Sequence, residues 1–176
     1  MHLIHHLRNF RYLFMEIVKA EINDLHKISK MYKDAIDNLN CIGINQWDEI
    51  YPNELTLKDD IDKQELYKII SGEKFLGAVV INKETDEEYA NGLFENDNYV
   101  VIHRLCVDPE YQNQKIGYNA MIIIENLLKK QGISSIRLDA FYKNSYSLKM
   151  YEKLGYKKVG NAQWRKGLFY LYEKIL

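Results

Sequence analysis

The sequence predicts a mixed α/β sheet with helices on its faces, and three observations predict it. Strand-length apolar runs such as Phe75–Ile81 alternate with stretches whose apolar residues recur at helical spacing. Their order is strand, helices, strands, then strand–helix–strand–helix–strand–strand, which suits a sheet covered by helices. No internal repeat or low-complexity tract interrupts that order, and 176 residues suit one compact domain.

The elements follow in turn. Glu16–Lys19 alternates briefly and reads as the first strand. Asn23 or Asp24 can cap a helix whose apolar face is Leu25, Ile28, Met31, Tyr32 and Ala35. Asn38–Pro52, with Gly43, Trp47 and Tyr51, is irregular. A second helix is expected from Thr56 or Lys58 through Ile61, Leu66 and Ile69–Ile70, stopped by Gly72. Glu73–Asn82 is a strand, and residues 83–98 form an acidic, exposed stretch with a short strand inside it.

Tyr99–Val107 is an apolar strand carrying His103 and Arg104, ended by Asp108-Pro109. A helix from Lys115 to Gln131 presents Ile116, Ala120, Met121, Ile123, Ile124, Leu127 and Leu128 to one side, and Gly132 stops it. Ser135–Ala140 is a strand, Ser145–Leu154 a short helix, and Tyr156–Gly160 and Leu168–Lys174 are strands. The last strand reads as an edge that can pair between chains, so a monomer and a homodimer are both open. Met15 starts the domain, expected over 15–176, and residues 1–14 read as an extension.

Composition narrows the function. Lys and Arg total 24 against 25 Asp and Glu, so no basic face is expected for nucleic acid or a membrane surface. No apolar run approaches the ~18 residues of a bilayer span. The N-terminal stretch lacks the apolar core and small-residue cleavage site of a secretory signal. Cys41 and Cys106 fit no metal spacing, and a reducing cytoplasm is the simplest home.

The most informative segment is Leu105-Cys106-Val107-Asp108-Pro109-Glu110-Tyr111-Gln112-Asn113-Gln114-Lys115-Ile116-Gly117. A loop leaving a strand and opening a helix presents unpaired N–H groups at the positive end of the helix dipole, which attracts an anion. Gly117 lets a phosphate approach with no Cβ in the way. The segment resembles the acetyl-CoA-binding motif of the GCN5-related N-acetyltransferase superfamily, V-x-P-x-x-Q/R-x-x-G-x-G/A. Val107, Pro109, Gln112 and Gly117 match, and Lys115 stands where the motif has its first glycine. Downstream, Asn144-Ser145-Tyr146-Ser147-Leu148-Lys149-Met150-Tyr151-Glu152-Lys153-Leu154-Gly155-Tyr156 resembles the same superfamily's N-x-x-A-x-x-L-Y-E-K-L-G-F signature.

The resemblance implies a twisted mixed sheet of about six or seven strands and about four helices. It implies acetyl-CoA as co-substrate and direct transfer to a primary amine, with no metal. Cofactor contacts are expected from the strand at Leu105, Cys106 and Val107, and from the loop and helix start at Gln112, Asn113, Gln114, Lys115, Ile116, Gly117 and Tyr118. Asn144 caps its helix and adds a further contact. The strand is expected to splay from its parallel neighbour and open a V-shaped gap for the cofactor.

The chemistry needs the amine deprotonated and the leaving thiolate protonated. Tyr151 is the expected acid, because a phenol near pKa 10 can give its proton to a thiolate. His103 is a candidate base, two residues from Leu105 and so expected on the same sheet face, or else a histidine hydrogen-bonded inside the sheet. Glu87 and Glu88 are alternatives. Trp47, Tyr51 and Tyr89 can line an acceptor pocket, although Trp47 can equally pin an irregular loop. Cys106, buried in its strand, is no nucleophile. A small-molecule amine is favoured over a protein N-terminus or lysine, and a non-catalytic acyl-CoA-binding module is the alternative.

Overall fold

The computed structural model describes residues 14–176, so the expected extension over 1–14 lies outside the described residues apart from Phe14. Among the described residues seven strands form one sheet: β1 (Met15–Lys19), β2 (Leu66–Ser71), β3 (Lys74–Asn82), β4 (Tyr99–Val107), β5 (Ser135–Phe141), β6 (Lys157–Trp164) and β7 (Gly167–Ile175). Their spatial order is β1-β2-β3-β4-β5-β7-β6, and β4–β5 is the parallel pair among antiparallel neighbours. The described residues also form the α-helices α1 (Leu25–Cys41), α2 (Glu54–Asp62), α3 (Ile116–Lys130) and α4 (Ser145–Lys153).

The helices cover both faces. On one, Ile28, Met31 and Tyr32 of α1 and Leu57 and Ile61 of α2 pack on Ala78, Val80 and Cys106. On the other, Met121, Ile124 and Leu128 of α3 and Tyr151 of α4 pack on Val79, Ile102, Ile136 and Leu138. Burying these side chains from water is the main driving force for the fold.

Double coverage explains the first departure from expectation. Leu66, Ile69 and Ile70 belong to a strand, not to the end of a helix. The second helix already ends at Asp62, and Gln64 follows with a left-handed φ of 60°. In β2, Leu66 and Ile69 are both fully buried but in clusters on opposite faces of the sheet. A strand buried on both faces loses its alternation, and its apolar spacing then imitates a helix.

Two further expectations change. Residues 83–98 hold no strand; a single 3-10 turn spans Glu87–Asn91. Tyr89 in that turn is buried against Val101, Ala162 and Leu171, so the acidic stretch is anchored to the sheet by an aromatic. The final strand is no edge. β7 lies between β5 and β6 and pairs with both, whereas β1 and β6 form the two edges.

Candidate active site

The site grows from the parting of β4 and β5. Their register runs from Tyr99↔Ser135 to Ile102↔Leu138 and stops there. Beyond this point His103–Val107 and Asp139–Phe141 diverge, which is the V-shaped gap expected from the motif resemblance. On its other side β4 stays pinned to β3, with Ala78 opposite Cys106 and Gly77 opposite Val107. Gly77 is required there, because a Cβ would lie 2.3 Å from the Cys106 carbonyl oxygen.

A bulge sits at the mouth of the V. Arg104 has a φ of 52°, and the β3–β4 register shifts between Ala78 and Val80. One extra residue reverses the alternation beyond it. His103, opposite Val80, therefore shares a face with Cys106, opposite Ala78. Leu105 turns to the other face and packs beside Ile116. The expectation that His103 and Leu105 share a face fails for this reason.

The bulge is held from both ends. The Tyr32 hydroxyl donates to the Arg104 carbonyl at 2.5 Å, while the Arg104 guanidinium pairs with Asp60 of α2 at 2.5 Å and with the Tyr51 hydroxyl. Burial raises the Asp60 carboxyl against the opposing pull of Arg104.

His103 is fixed in one tautomer. Its Nε2 lies 2.9 Å from Asn82 Oδ1 and 3.2 Å from the Glu84 carbonyl oxygen. Asn82 donates its amide to Glu65 at 2.8 Å, and its Oδ1 accepts the Glu84 N–H at 3.0 Å. That oxygen can only accept, so the ring proton is on Nε2 and the bare nitrogen is Nδ1. Burial, and then the charge of Arg104, lower the pKa to about 4. The imidazole is neutral at pH 7, and protonating it is costly.

One cleft, about 780 Å³, runs between β4, α3 and α4. Every residue expected to meet the cofactor lines it except Gln114, whose side chain donates to the Glu110 carbonyl at 3.5 Å. Asn113 and Lys115 are both left-handed, with φ of 61° and 59°. The αL conformation at Lys115 is what a glycine adopts most easily, so the lysine keeps the loop path at some strain. The first α3 amide to reach back does so from Asn119 to the Lys115 carbonyl at 2.9 Å. The N–H groups of Ile116, Gly117 and Tyr118 therefore lead the helix with no helical acceptor. A Cβ on Gly117 would sit 3.3 Å from Met150 Sδ, so this glycine also closes the packing of α3 on α4. Lys149 and Lys153 add positive charge to the wall. Leading amides, left-handed loop residues and lysines together suit the phosphates of a coenzyme A.

A second cavity, about 580 Å³, lies on the other side of the V and contains His103, Asp139, Tyr51, Tyr89 and Trp164. Six residues line both spaces: Gln46, Trp47, Leu105, Asn144, Ser147 and Tyr151. Asn144 caps α4 by accepting the Ser147 N–H at 3.2 Å, and donates to Gln46 at 2.8 Å. Trp47 packs edge-on to Tyr32 with centroids 5.7 Å apart, so it pins its loop and walls the cavities at once. The Tyr151 hydroxyl is pushed above the ordinary phenol range by burial, with the charge of Asp139 adding to it. Glu87 and Glu88 do not line either space.

Asp139 is the residue that sequence reasoning missed. It is the first β5 residue beyond the parting, level with His103 across the V when the register is continued. Tyr89 donates to its Oδ2 at 2.9 Å. Burial raises its pKa to about 6, opposed by the Tyr89 hydrogen bond and aided by the nearby Asp86. An Asp two residues after Arg137 in the strand run Ile136-Arg137-Leu138-Asp139-Ala140-Phe141 was the available signal.

Comparison with known proteins meets this geometry. A sequence model described as the Acetyltransferase (GNAT) family matches residues 29–156. The chain belongs to that family. A GNAT acetyltransferase from Streptococcus agalactiae superposes with a TM-score of 0.81 at 23% identity, covering 94% of this chain and 97% of that one. The ribosomal-protein-S18-alanine N-acetyltransferase of Escherichia coli shares the fold at a TM-score of 0.66 and 14% identity, covering 92% and 94%. A spermidine N(1)-acetyltransferase of Thermoplasma acidophilum is 37% identical over 60 residues, 34% of this chain. That match spans only 37% of the relative's length. Membership agrees with the acetyltransferase class and the sheet expected from the sequence. Among the described residues no helix is long and apolar enough to cross a membrane, and no group of His, Cys, Asp or Glu is placed to hold a metal.

Proposed function

We propose that this GNAT protein transfers an acetyl group from acetyl-CoA directly to a primary amine of a small, cationic molecule. The observation that carries the reading is the junction. A cleft suited to an anionic cofactor and a cavity holding the half-buried carboxylate of Asp139 meet at Leu105 and Tyr151. Resemblance of part of the chain to a spermidine acetyltransferase agrees with a polyamine-like acceptor. Fold likeness does not choose the acceptor, since an N-acetyltransferase acting on a ribosomal protein shares it.

When bound, acetyl-CoA supplies the thioester carbonyl carbon. The leading amides of α3 and Lys115, Lys149 and Lys153 would hold its phosphates. The β5-side edge of Leu105–Val107, left open by the splay, would pair with its amide-bearing arm, and a β4 amide there would polarise the carbonyl oxygen. Asp139 attracts the acceptor ammonium and takes its proton; its pKa of about 6 keeps it mostly ionised at pH 7 while retaining basicity. His103, with its low pKa and engaged Nε2, holds Asn82 and Glu84 at the cavity wall. As the C–N bond forms and the C–S bond breaks, the Tyr151 hydroxyl would give its proton to the leaving sulfur and regain one from the acylated nitrogen, the other amine proton having gone to Asp139.

Thermal unfolding with acetyl-CoA, CoA, ATP and NAD in parallel tests the cofactor part of this reading. Ligand at 100 times its Kd stabilises by about 2.7 kcal/mol. A shift with acetyl-CoA and CoA alone, followed by thiol release with spermidine, is the expected result. A shift without thiol release from any of a panel of amines would favour a non-catalytic acyl-CoA-binding module instead.

A further inference from the structure

The acceptor cavity is roofed by two segments that are far apart in sequence. One is the connection between α1 and α2, residues 42–53, which brings Trp47, Ile50 and Tyr51. The other is the β6–β7 turn, which brings Trp164, Arg165 and Lys166. Asp48 joins them. Its carboxylate accepts from Arg165 at 2.7 and 2.9 Å and from Lys166 at 3.2 Å. The paired Arg165 contacts are of the two-pronged kind that fixes orientation as well as charge. The same carboxylate accepts the Ile50 and Tyr51 N–H groups at 3.1 and 3.2 Å, which sets the turn that brings Tyr51 to Arg104. Arg165, and then Lys166, hold the Asp48 carboxyl far below the usual range despite its partial burial.

We propose that Asp48 is a latch that sets the size limit of the acceptor site, closing the 42–53 segment onto the β6–β7 turn so that a small amine enters and a polypeptide N-terminus does not. This rests on the acetyl-transfer reading for its consequence, but not for its geometry. With the latch shut, the cavity walls form a ring: β4 and β5 at the base, the 3-10 turn at Tyr89 on one side, and the two roof segments opposite. An extended peptide needs a channel out of that ring, and the line of the latch is where one would open. Asp48 touches none of the reacting atoms, so it is a positioning residue.

Both tryptophans of the chain, Trp47 and Trp164, lie in the two roof segments, which supplies a readout free of turnover. Acrylamide quenching of intrinsic fluorescence is compared in the wild type, Asp48→Asn, Arg165→Ala and Asp48→Glu. Quenching constants at least twofold higher in the first two variants are expected, with Asp48→Glu restoring the wild-type value and 1 M NaCl reproducing the opened state. Equal quenching in all four overturns the latch, whatever the enzyme does with amines. Thiol release is then measured with spermidine and with a hexapeptide bearing a free N-terminus. The wild type is expected to favour spermidine at least tenfold in kcat/KM, and Asp48→Asn to narrow that ratio at least tenfold. A ratio unmoved by the variants, or no preference in the wild type, overturns the size limit. Loss of all thiol release in the wild type, with quenching still dependent on Asp48, would sink the transfer reading and with it the size limit, and leave the latch itself standing.

Discussion

The hydroxyl of Tyr32, in the second turn of α1, donates to the main-chain carbonyl of Arg104, 72 residues away in β4. That carbonyl belongs to the bulged residue, whose left-handed conformation puts His103 and Leu105 on opposite faces. A helix thus fixes the bulge that decides which face of the sheet His103 and Leu105 present. Tyr32→Phe removes this part-buried hydrogen bond, at a cost of about 0.5–1.5 kcal/mol. Thermal unfolding should show a Tm lower by several degrees. An unchanged Tm would mean that the bulge holds without this bond.

Asp139→Asn removes the proposed proton acceptor while keeping an oxygen for the Tyr89 hydroxyl. kcat/KM is expected to fall about 10²- to 10⁴-fold. In the wild type kcat/KM should rise with pH through about 6, as the carboxyl ionises, and the variant should lack that limb. The linked effect on stability has a definite sign. The folded pKa lies above the unfolded one, so this group's contribution is present below pH 4 and lost as pH rises through 6. The variant should therefore unfold at a higher temperature than the wild type at pH 8.

Tyr151→Phe separates binding from chemistry. The ring keeps its packing against Tyr156 and Tyr172, and only the hydroxyl is lost. CoA binding by calorimetry should match the wild type within about twofold, and kcat should drop by at least tenfold. A kcat equal to the wild type would remove Tyr151 from the reaction.

His103→Gln tests the buried neutral imidazole. Its pKa of about 4 in the fold lies below the ordinary 6.5 of an unfolded chain. As pH falls, the unfolded state takes the proton first, so the stability that His103 contributes is lost between pH 6.5 and 4. Tm measured against pH should fall less steeply in the variant across that window. Identical slopes would show that the ring protonates freely in the folded state.

Lys115 carries two separable effects, its charge and its backbone. Lys115→Met keeps the strained φ and removes the ammonium; a CoA Kd raised up to about fivefold, with a weaker salt dependence, is expected. Lys115→Gly relaxes the left-handed residue, and its Tm should equal or exceed that of the methionine variant. A methionine variant with wild-type affinity would place the ammonium away from the phosphates.

Much of this was legible in the sequence, and the reasons for the rest are physical. The strand–loop–helix segment stood out through its resemblance to a family motif, because a strand, loop and helix start fix such backbone positions locally. β4, α3 and α4 were placed within a residue or two for the same reason. Leu66–Ser71 was misread because helices on both faces erase alternation. The faces of His103 and Leu105 were misassigned because no residue type marks a bulge at an arginine. Asp139 was passed over because its place in the cavity depends on strands parting after Ile102 and Leu138, a tertiary event. The interior place of β7 was equally unreadable, since pairing order depends on distant partners.

That interior place reaches back into how the molecule is made. β5 and β6 both need β7, yet the ribosome delivers β7 after each of them. About 34 residues separate Phe141 from Ile175, which at 5–20 residues per second is roughly 2–7 s of synthesis. Through that interval the outer rim of β5, the strand that bears Asp139, has no hydrogen-bonding partner on the side β7 will fill. Nascent chains stalled short of residue 167 should therefore be bound by chaperones and digested readily, and the cavity around Asp139 comes into being only as β7 slides home.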